Sequence, residues 1–503
     1  MTDTIIQFLS SISSFIWGPY LLIPLLLGVG FYLTLRLGGM QFFKLIPALR
    51  LGLIQRKDVG AKGDISQFQA LTTALAATVG IGNIVGVATA IAIGGPGSLF
   101  WMWVTGLVGM VTKYAEAFLA VYFRGTDAAG EKSGGPQYYL ERGIKGPLGK
   151  VLGVSFAIFT IFACFGIGNL TQGNAISVNL ESAWSIQPWV TGVVLTLISL
   201  AVQVGGIKSI GRVTALLVPV MIVFYVASCL YILAVNIADI PAALGLIFHD
   251  AFTGTSAVGG FTGSAIILTI QFGVTRGLFS NESGLGSAPM VAAAAQTSHP
   301  VRQGLVSMTQ TFIDTLIVVS CTGLVIITTG AWKFIDPATG QQISAALMTG
   351  EAFSHGLPGD WGRWIVTAGV VMFASSTILG WSYYGERNIE RLFGQKWIMP
   401  YRVLFSLAVF VGCTSELHLV WIFADVMNGL MALPNLIGIL LLSGLIFRET
   451  RHYLKHDPNL TADTQTVDAF MAGRPGWAEW KARDKIGSSR QDVVGGSENP
   501  SKN

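Results

Sequence analysis

The distribution of Lys and Arg over the hydrophobic runs constrains the fold of this chain more than any other feature. Apolar runs of about 20 residues, the length that crosses a bilayer, can be placed as eleven spans along the 503 residues. Lys113 and Arg276 then fall within spans, Lys333 and Arg363 fall on one side, and the other 27 of the 31 Lys and Arg fall on the opposite side. Because Lys and Arg stay cytoplasmic during insertion, this asymmetry predicts an integral membrane protein with its N-terminus outside and its C-terminus inside.

The eleven predicted spans share a high apolar content and are separated by polar loops. They lie at 17–35, 66–93, 98–123, 150–181, 189–206, 213–236, 260–296, 303–330, 363–386, 401–416 and 418–447. The basic, amphipathic stretch 41–54 follows the first span and is expected to lie along the inner membrane surface. The tail 448–503 is polar, and we expect it to be cytoplasmic and largely disordered, with a short helix at 477–485.

Composition agrees with a bilayer protein and excludes other classes. The chain is 52% hydrophobic and only 12% charged, whereas soluble domains carry about 25% charged residues. The net charge of +4 is spread over the loops and forms no concentrated patch, so nucleic acid is not an expected partner. The four cysteines lie far apart in apolar runs without metal-ligand spacing, and we interpret them as core thiols.

The ten spans after the first divide into two sets of five. These sets occupy residues 66–236 and 260–447, and the first span of each is interrupted by glycines, at 76–86 and 271–286. Because five is odd, the second set must run inverted relative to the first. Broken hydrophobic segments at matching positions of inverted halves indicate the midplane binding site of a transporter. The alternative is a chance match between two glycine-rich spans.

The first break contains Thr78, Gly80 and Asn83 near the middle of its span. Glycines there release the helical hydrogen bonds, so that freed carbonyls are available to a cation and freed N–H groups to a carboxylate. Asn83 adds a side-chain oxygen, and hard cations such as sodium prefer oxygen ligands. The alternative is close helix packing through small residues.

Polar side chains in two other spans are candidates for the same site. Gln172, close to Asn169, could hydrogen-bond an amino or carboxyl group of a substrate, or join helices. Ser376 and Thr377 could complete a sodium shell with carbonyls of the first break, or bond their own helix. Trp381 lies one turn further and could form the wall of a small pocket.

Several charged residues fall at membrane depth, where each charge costs at least roughly 2.5 kcal/mol on insertion. Arg276 and Glu282 lie in the second broken span, and we expect them to be paired, as a gate or as a structural clamp. Lys113 and Glu116 are predicted to form a structural i, i+3 pair. Asp314 could relay protons or pair with a neighbour, and the sequence does not decide between these roles.

The sequence resembles the alanine-or-glycine:cation symporter family, which comprises sodium:alanine symporters, over about residues 15–450. The matching motifs are ATVGIGNIVG (77–86) within the run 68–97, FWMW (100–103), TKYAE (112–116), GGPQYY (134–139), NESGLGSAP (281–289) and GWSYYGE (380–386). The resemblance implies an all-α, leucine-transporter-like fold with a five-plus-five inverted repeat and one extra N-terminal helix. It implies import of alanine, glycine or another small amino acid, driven by sodium, across the cytoplasmic (inner) membrane of a prokaryote.

The resemblance also implies a set of site residues by position. The substrate pocket would comprise Thr78, Gly80, Asn83, Gln172, Phe279, Ser280 and Trp381. The sodium site would comprise Ser376 and Thr377 with backbone carbonyls near Ala76 and Val79. Ile81 departs from the family, which commonly has Thr there, and this puts the fine specificity in doubt.

Three alternatives to a sodium-driven carrier remain at this level. A proton-coupled transporter of small amino acids would use the same fold with an acid such as Asp314 or Glu282. A channel or receptor with a similar number of spans would show transport without sodium dependence, or none. A membrane enzyme is disfavoured, because the sequence has no nucleophile–base pair and no metal-ligand motif.

Overall fold

Apolar helices account for most of this computed structural model, which describes residues 2–253, 262–336, 340–359, 361–415 and 418–485. Within these residues, seven helices are long and apolar enough to cross a membrane, or eight if one bent pair counts as a single span. Four shorter apolar helices accompany them. The described strands form one small antiparallel sheet of β1 (Gly125–Thr126) and β2 (Lys132–Ser133).

The helices of the N-terminal half are α1 (Thr2–Ile16), α2 (Leu22–Arg36), α3 (Met40–Phe43), α4 (Leu45–Leu49), α5 (Gln67–Thr78), α6 (Val85–Gly94), α7 (Ser98–Tyr122), α8 (Pro136–Gly143), α9 (Pro147–Phe165), α10 (Thr171–Trp184), α11 (Pro188–Val204), α12 (Gly206–Val235) and α13 (Ile240–Thr253). Those of the C-terminal half are α14 (Thr262–Asn281), α15 (Pro289–Ala294), α16 (Pro300–Thr311), α17 (Ser320–Thr328), α18 (Ala345–Gly356), α19 (Trp361–Phe393), α20 (Ile398–Thr414), α21 (His418–His456), α22 (Thr464–Met471) and α23 (Trp477–Lys485).

Short segments of other helical pitch join several of these helices. Wider, π-type turns at Gly166–Leu170 and Phe312–Val319 continue α9 into α10 and α16 into α17, and a third spans Arg50–Gln55. Such turns inside long helices are frequent at functional sites. Tighter 3₁₀ turns lie at Ile81–Asn83, Ile237–Asp239, Ala331–Lys333 and Gln395–Trp397.

The first predicted break is present between α5 and α6. Ser66 starts α5 with a capping box, in which its hydroxyl accepts from the Gln69 N–H while the Gln69 side chain accepts from the Ser66 N–H. The helix ends at Thr78, and α6, with the 3₁₀ turn before it, runs at 62° to α5. Gly80 is extended at the bend (φ −130°, ψ −155°). A Cβ there would lie 2.5 Å from Thr377 Oγ1, so the close approach of α19 requires glycine.

The second predicted break is also present, between the end of α14 at Asn281 and the start of α15 at Pro289. Its backbone turns through the left-handed region at Glu282 (φ 56°), Gly284 (φ 94°) and Gly286 (φ 85°). Glycine adopts this region freely, whereas a residue with a side chain, such as Glu282, adopts it only at a steric cost. The glycines in NESGLGSAP therefore permit the interruption that the hydrophobic pattern predicts.

The ends of the chain differ from the sequence-based expectation. An additional helix, α1, precedes the first span and packs against α21, and α2 begins at Leu22 rather than at residue 17. The prediction of a largely disordered tail is wrong for residues 448–485. There α21 continues to His456, α22 follows, and the predicted helix at 477–485 is present as α23. The tail is ordered because Val467, Met471 and Trp480 are buried; residues 486–503 lie outside the described chain.

Two ends of the helical bundle can be told apart by charge. One end, which we call the basic face, carries Arg124, Arg302 and Arg387. Arg387 forms ion pairs there with Asp127 (3.0 Å), Glu386 (2.6 Å) and Glu390 (3.1 Å). These contacts connect the loop after α7 with the end of α19 and close the basic face. The four cysteines are buried as free thiols, in agreement with their interpretation as core residues.

Candidate substrate and cation site

The hydroxyls of Ser376 and Thr377 converge on one carbonyl of the first break. Ser376 Oγ lies 3.2 Å and Thr377 Oγ1 3.1 Å from the Ala76 carbonyl oxygen. Both hydroxyls also lie within 3.0 Å of the Phe373 carbonyl of their own helix. The sequence left open whether they meet the break or bond their own helix, and the geometry combines both contacts. Two hydroxyls and a carbonyl thus meet in one buried place, and oxygen is the ligand type that hard cations prefer.

Val79 lies three residues after Ala76, where the backbone leaves the helical region (ψ 84°). The Ala76 carbonyl therefore lacks its usual i+4 partner, because the Gly80 N–H donates to Asn83 Oδ1 instead. The break thus leaves a main-chain oxygen beside the two hydroxyls of α19, at the predicted sodium site.

Gln172 presents an unused acceptor to the same break. Its Nε2 donates to the Ile167 carbonyl at 3.0 Å across the π-type turn before α10. Its Oε1 has no hydrogen-bond partner among the described residues, although the side chain is buried. A Cβ built on Gly80 would lie 3.4 Å from this oxygen. Buried acceptors are rarely left unpaired, so an amino group bound at the break would complete this one.

Asn83 connects the break to a buried acid on another span. Its Oδ1 accepts from the Gly80 N–H at 3.0 Å, and its Nδ2 donates to Asp314 Oδ1 at 2.7 Å. The other carboxylate oxygen of Asp314 accepts from Ser280 Oγ at 2.8 Å and from Thr315 Oγ1 at 2.9 Å. Asp314 therefore joins the first broken span to the end of α14. The depth of Asp314 in its predicted span made it a candidate for a functional acid. Its partners Asn83 and Ser280 lie 231 and 34 residues away in the sequence, so residue spacing could not identify them.

Thr78 makes hydrogen bonds away from the other predicted pocket residues. Its hydroxyl donates to the Ala74 carbonyl at 3.1 Å and accepts from Gln310 Nε2 at 3.1 Å. Gln310 was not predicted to contact the candidate site, because no sequence pattern distinguishes it from polar side chains that only join helices. Thr78 thus fixes the inner half of the broken span to α16.

Two aromatic side chains restrict the space around the breaks. Phe279 packs on the first break so closely that a Cβ on Gly82 would lie 2.9 Å from Phe279 Cδ1. Trp381 is 1% exposed, packs against Gly168, and interacts through its side chain with Glu282. Large aromatic rings therefore flank the breaks on both sides.

A cavity of about 150 Å³ approaches Phe279 from the end opposite the basic face. It is lined by Ser13, Ser14, Trp17, Gln271, Phe272, Thr275, Arg276, Phe279 and Asp425. The Arg276 guanidinium lies 5.8 Å from the centre of the Phe279 ring. Phe279 therefore separates this cavity from the first break.

The charges of the second broken span are not arranged as the sequence predicts. Arg276 and Glu282 do not form an ion pair in the described part of the chain. Arg276 lines the cavity, whereas Glu282 is buried and accepts from the Ser287 hydroxyl at 2.5 Å. The separation follows from the helix geometry, since Arg276 lies more than a turn before the end of α14 and Glu282 lies beyond that end.

Lys113 and Glu116 hold the second break in place. Their charged groups lie 4.0 Å apart, so the predicted pair is present. Lys113 Nζ donates to the Glu282 carbonyl at 2.9 Å, and Glu116 Oε1 accepts from the Gly286 N–H at 3.0 Å. Asn435 Nδ2 reaches the same carboxylate oxygen and the Gly284 carbonyl. The pair therefore supplies hydrogen bonds to backbone groups that the helix ends leave free.

Comparison with known proteins places the chain in a family. The model of the sodium:alanine symporter family matches residues 2–467. The sodium/alanine symporter AgcS of Methanococcus maripaludis is 52% identical over 89% of this chain and 97% of its own length. An uncharacterised transporter of Haemophilus influenzae is 49% identical over 90% and 97%. The probable sodium/glutamine symporter GlnT of Bacillus subtilis is 35% identical over 88% and 89%.

A solved structure confirms the fold class. The crystal structure of MhsT in complex with L-phenylalanine superposes with a TM-score of 0.56, covering 85% of this chain and 97% of MhsT at 13% identity. At this identity the match concerns the fold alone, which is the predicted all-helical, leucine-transporter-like membrane fold. The family match and the identity to a symporter across almost its whole length also separate the chain from enzymes and channels. The chain belongs to the sodium:alanine symporter family.

Proposed function

We propose that this protein imports a small neutral amino acid, alanine or glycine, together with sodium by alternating access. The observation that carries the proposal is the meeting of Ser376 and Thr377 with the Ala76 carbonyl at a broken helix. The relative at 52% identity is a sodium/alanine symporter, which supports the same ion and substrate.

The substrate would lie between the two breaks. Backbone N–H groups of the break that follow Gly80 suit a carboxylate, and Gln172 Oε1 suits the amino group. The Ser280 hydroxyl donates to Asp314 and would line the pocket from beside that acid. Asn83 shapes the substrate pocket by accepting a hydrogen bond from the Gly80 N–H. Phe279 and Trp381 limit the side chain of the substrate to about a methyl group. Thr78 contributes indirectly, by fixing the end of α5.

The sodium ion would be bound by Ser376, Thr377 and the carbonyls near Ala76 and Val79. It enters from outside, favoured by roughly 2.3 kcal/mol per charge per 100 mV of membrane potential. Because it and the amino acid share the first break, binding of either raises the affinity for the other by the same factor.

The transport cycle fits a membrane orientation with the basic face towards the cytoplasm. In this orientation the N-terminus is outside, the C-terminus is inside, and the protein crosses the inner membrane of a prokaryote. We assign residues 1–65 to an N-terminal helical segment, 66–236 and 260–447 to two inverted repeats, and 448–503 to a cytoplasmic tail. Substrate then arrives through the cavity beside Phe279 and leaves when the basic face opens.

Proton coupling is the second candidate, and Asp314 is the observation that favours it. A carboxylate buried between both breaks and bonded to Asn83 and Ser280 is placed to take up a proton near the substrate. One relative from Bacillus subtilis, 36% identical, is a putative sodium/proton-dependent alanine carrier protein, YrbD.

Uptake of labelled alanine into proteoliposomes tests these alternatives. One set of vesicles receives an imposed sodium gradient, and a matched set receives a proton gradient of equal size without sodium. We expect concentrative uptake only with sodium, and competition by unlabelled glycine but not by phenylalanine, because the pocket is small.

The opposite outcomes are informative. Uptake with protons alone would replace sodium by Asp314 protonation as the coupling reaction. A failure to concentrate alanine, glycine or any other small amino acid under either gradient would refute the proposed substrate class and leave the fold unchanged.

A further inference from the structure

The C-terminal helix α23 is docked on the basic face by buried contacts. Trp480 is 2% exposed, and its Nε1 donates to the Val121 carbonyl at 3.1 Å, near the end of α7. Trp477 stacks on Trp480 with ring centres 4.8 Å apart, and also stacks on His299 at 5.4 Å. The cavity left beneath these rings is about 10 Å³, about one water molecule. Burial, ring stacking and one hydrogen bond therefore hold α23 against the basic face.

Asp484 near the end of α23 supplies the charge that faces two buried cations. Its carboxylate lies 2.9 Å from Arg124 Nε and 3.1 Å from Lys132 Nζ. Burial raises the pKa of Asp484, but Arg124 and Lys132 together outweigh it and hold the pKa below its usual range. The carboxylate is therefore ionised at neutral pH, and the three groups form one buried charge cluster.

Arg124 connects this cluster to both broken spans. Its Nη1 donates to the carbonyls of Ala293 (2.9 Å) and Ala295 (2.7 Å), where α15 ends. Its Nη2 donates to the Lys62 carbonyl at 3.1 Å, in the segment that leads into α5. One guanidinium thus holds the basic-face ends of the two broken spans together, and Asp484 holds that guanidinium.

The backbone that these contacts brace is itself paired. The N–H groups of Asp64 and Ile65 donate to the Ala294 carbonyl, and the N–H of Gln296 donates to the Ile65 carbonyl. Earlier in the tail, Thr464 donates to the Val59 carbonyl at 2.9 Å. The tail therefore contacts the segment that leads into α5. This segment must move if the basic-face end of the first broken span is to separate from α15.

The helix α23 lies beyond the part of the chain that the family model matches, which ends at residue 467. The contacts of α23 are therefore made by residues outside that matched range. They fall on the elements that close the basic face, and none falls on the candidate site.

We propose that α23 is an intramolecular latch on the basic face, and that release of Asp484 from Arg124 and Lys132 is a step in opening that face. The latch rests on the proposed function, since it regulates the inward opening of a carrier. In the latched form, the ends of α5 and α15 stay together. After release, water replaces Asp484 around the two cations, and the paired backbone at 64–65 and 294–296 can separate.

Hydrogen exchange of the whole protein in nanodiscs tests the latch without reference to any substrate. The variants are a truncation that removes residues 474–503, one that removes only 486–503, and Asp484→Asn. Lys481→Gln is the matched control, because Lys481 lies on α23 and forms its ion pair with the tail residue Asp468 at 2.6 Å, not with a residue of the charge cluster. Its other contact, with the Trp477 ring at 5.3 Å, stays within α23. Exchange is followed at the amides of residues 62–66 and 294–298.

We expect exchange at these amides to rise roughly tenfold or more in Asp484→Asn and in the truncation at 474, because losing one partner of a buried charge pair costs several times RT. Lys481→Gln and the truncation at 486 should behave as the full chain. Sodium-free alanine efflux from proteoliposomes should rise in the same two variants.

Two results would overturn the latch. Unchanged exchange at 62–66 and 294–298 in Asp484→Asn would show that α23 does not brace these segments, even if the truncated chain fails to fold. Faster exchange without any change in efflux would give α23 a stabilising role alone. A missing alanine activity in every variant would instead refute the proposed substrate, since the exchange readout would still respond.

Discussion

At the scale of single residues, the candidate site depends on which side-chain and backbone oxygens are available to bind a ligand. Ser376, Thr377 and Gln172 could be predicted as candidates because they are polar groups in apolar spans, and each such group must find a partner in a membrane interior. The sequence could not show that Gln172 Oε1 stays unpaired or that Thr78 bonds Gln310. Hydrogen-bond partners far apart in the chain follow from packing and leave no local pattern.

Removal of the two α19 hydroxyls should weaken sodium binding. In Ser376→Ala with Thr377→Ala, we expect the sodium concentration for half-maximal alanine uptake to rise roughly tenfold or more, because a contact to a charged group is worth about 1.5–3 kcal/mol. Uptake measured against sodium concentration checks this.

Ser382→Ala is the control for that pair. Ser382 is buried on the same helix, but its hydroxyl donates only to the Leu379 carbonyl at 2.7 Å within α19. An equal loss of sodium affinity in this control would mean that any hydroxyl of α19 affects the helix, and would contradict a sodium site at Ser376 and Thr377.

At the scale of elements, both broken spans were predictable because glycine leaves a strong signal in an apolar run. The helices α1, α13 and α18 were not predicted, since their sequences are either short or lie between spans in stretches assigned to loops. The order in the tail was missed for a related reason. Its composition is polar on average, and the few apolar residues that bury it, such as Trp480, weigh little in such an average.

Glycine at the first break should be required at position 80 and not at position 86. In Gly80→Ala, the added Cβ would meet Thr377 Oγ1 at 2.5 Å, and such overpacking costs about 1–3 kcal/mol. We expect alanine uptake to fall at least about tenfold, with both sodium and alanine affinity reduced.

Gly86→Ala is the matched change on α6, because a Cβ there meets nothing within 4 Å. Uptake and thermal stability should stay close to those of the unaltered protein. Normal sodium and alanine affinity in Gly80→Ala would refute the close approach of α19 to the break as a requirement of the site.

At the scale of the whole molecule, the Lys and Arg distribution predicts orientation as well as span number. The structure collects Arg124, Arg302 and Arg387 at one end and the cavity beside Phe279 at the other. The division into inverted repeats remains a prediction, because the fold comparison concerns the whole helical arrangement. Membrane side is set during insertion and therefore needs a measurement in cells.

Cysteine labelling measures the orientation. Glu351→Cys on α18 and Gln395→Cys at the basic face both replace exposed residues, whereas the four native cysteines are buried. With a membrane-impermeant maleimide on intact bacteria, we expect labelling of Glu351→Cys alone, and of Gln395→Cys only after permeabilisation. The reverse pattern would invert the proposed orientation.

The position of α23 in the chain has a consequence for biogenesis. Proteins are synthesised from the N-terminus, and their N-terminal parts fold first. The membrane-spanning helices among the described residues all precede α23, so Arg124 and Lys132 are in place before the carboxylate that pairs with them has left the ribosome. A nascent chain that stops before Asp484 contains these spans and every candidate site residue, yet its two buried cations lack that partner. In the proposed latch, a newly made molecule therefore closes its basic face only after α23 is complete.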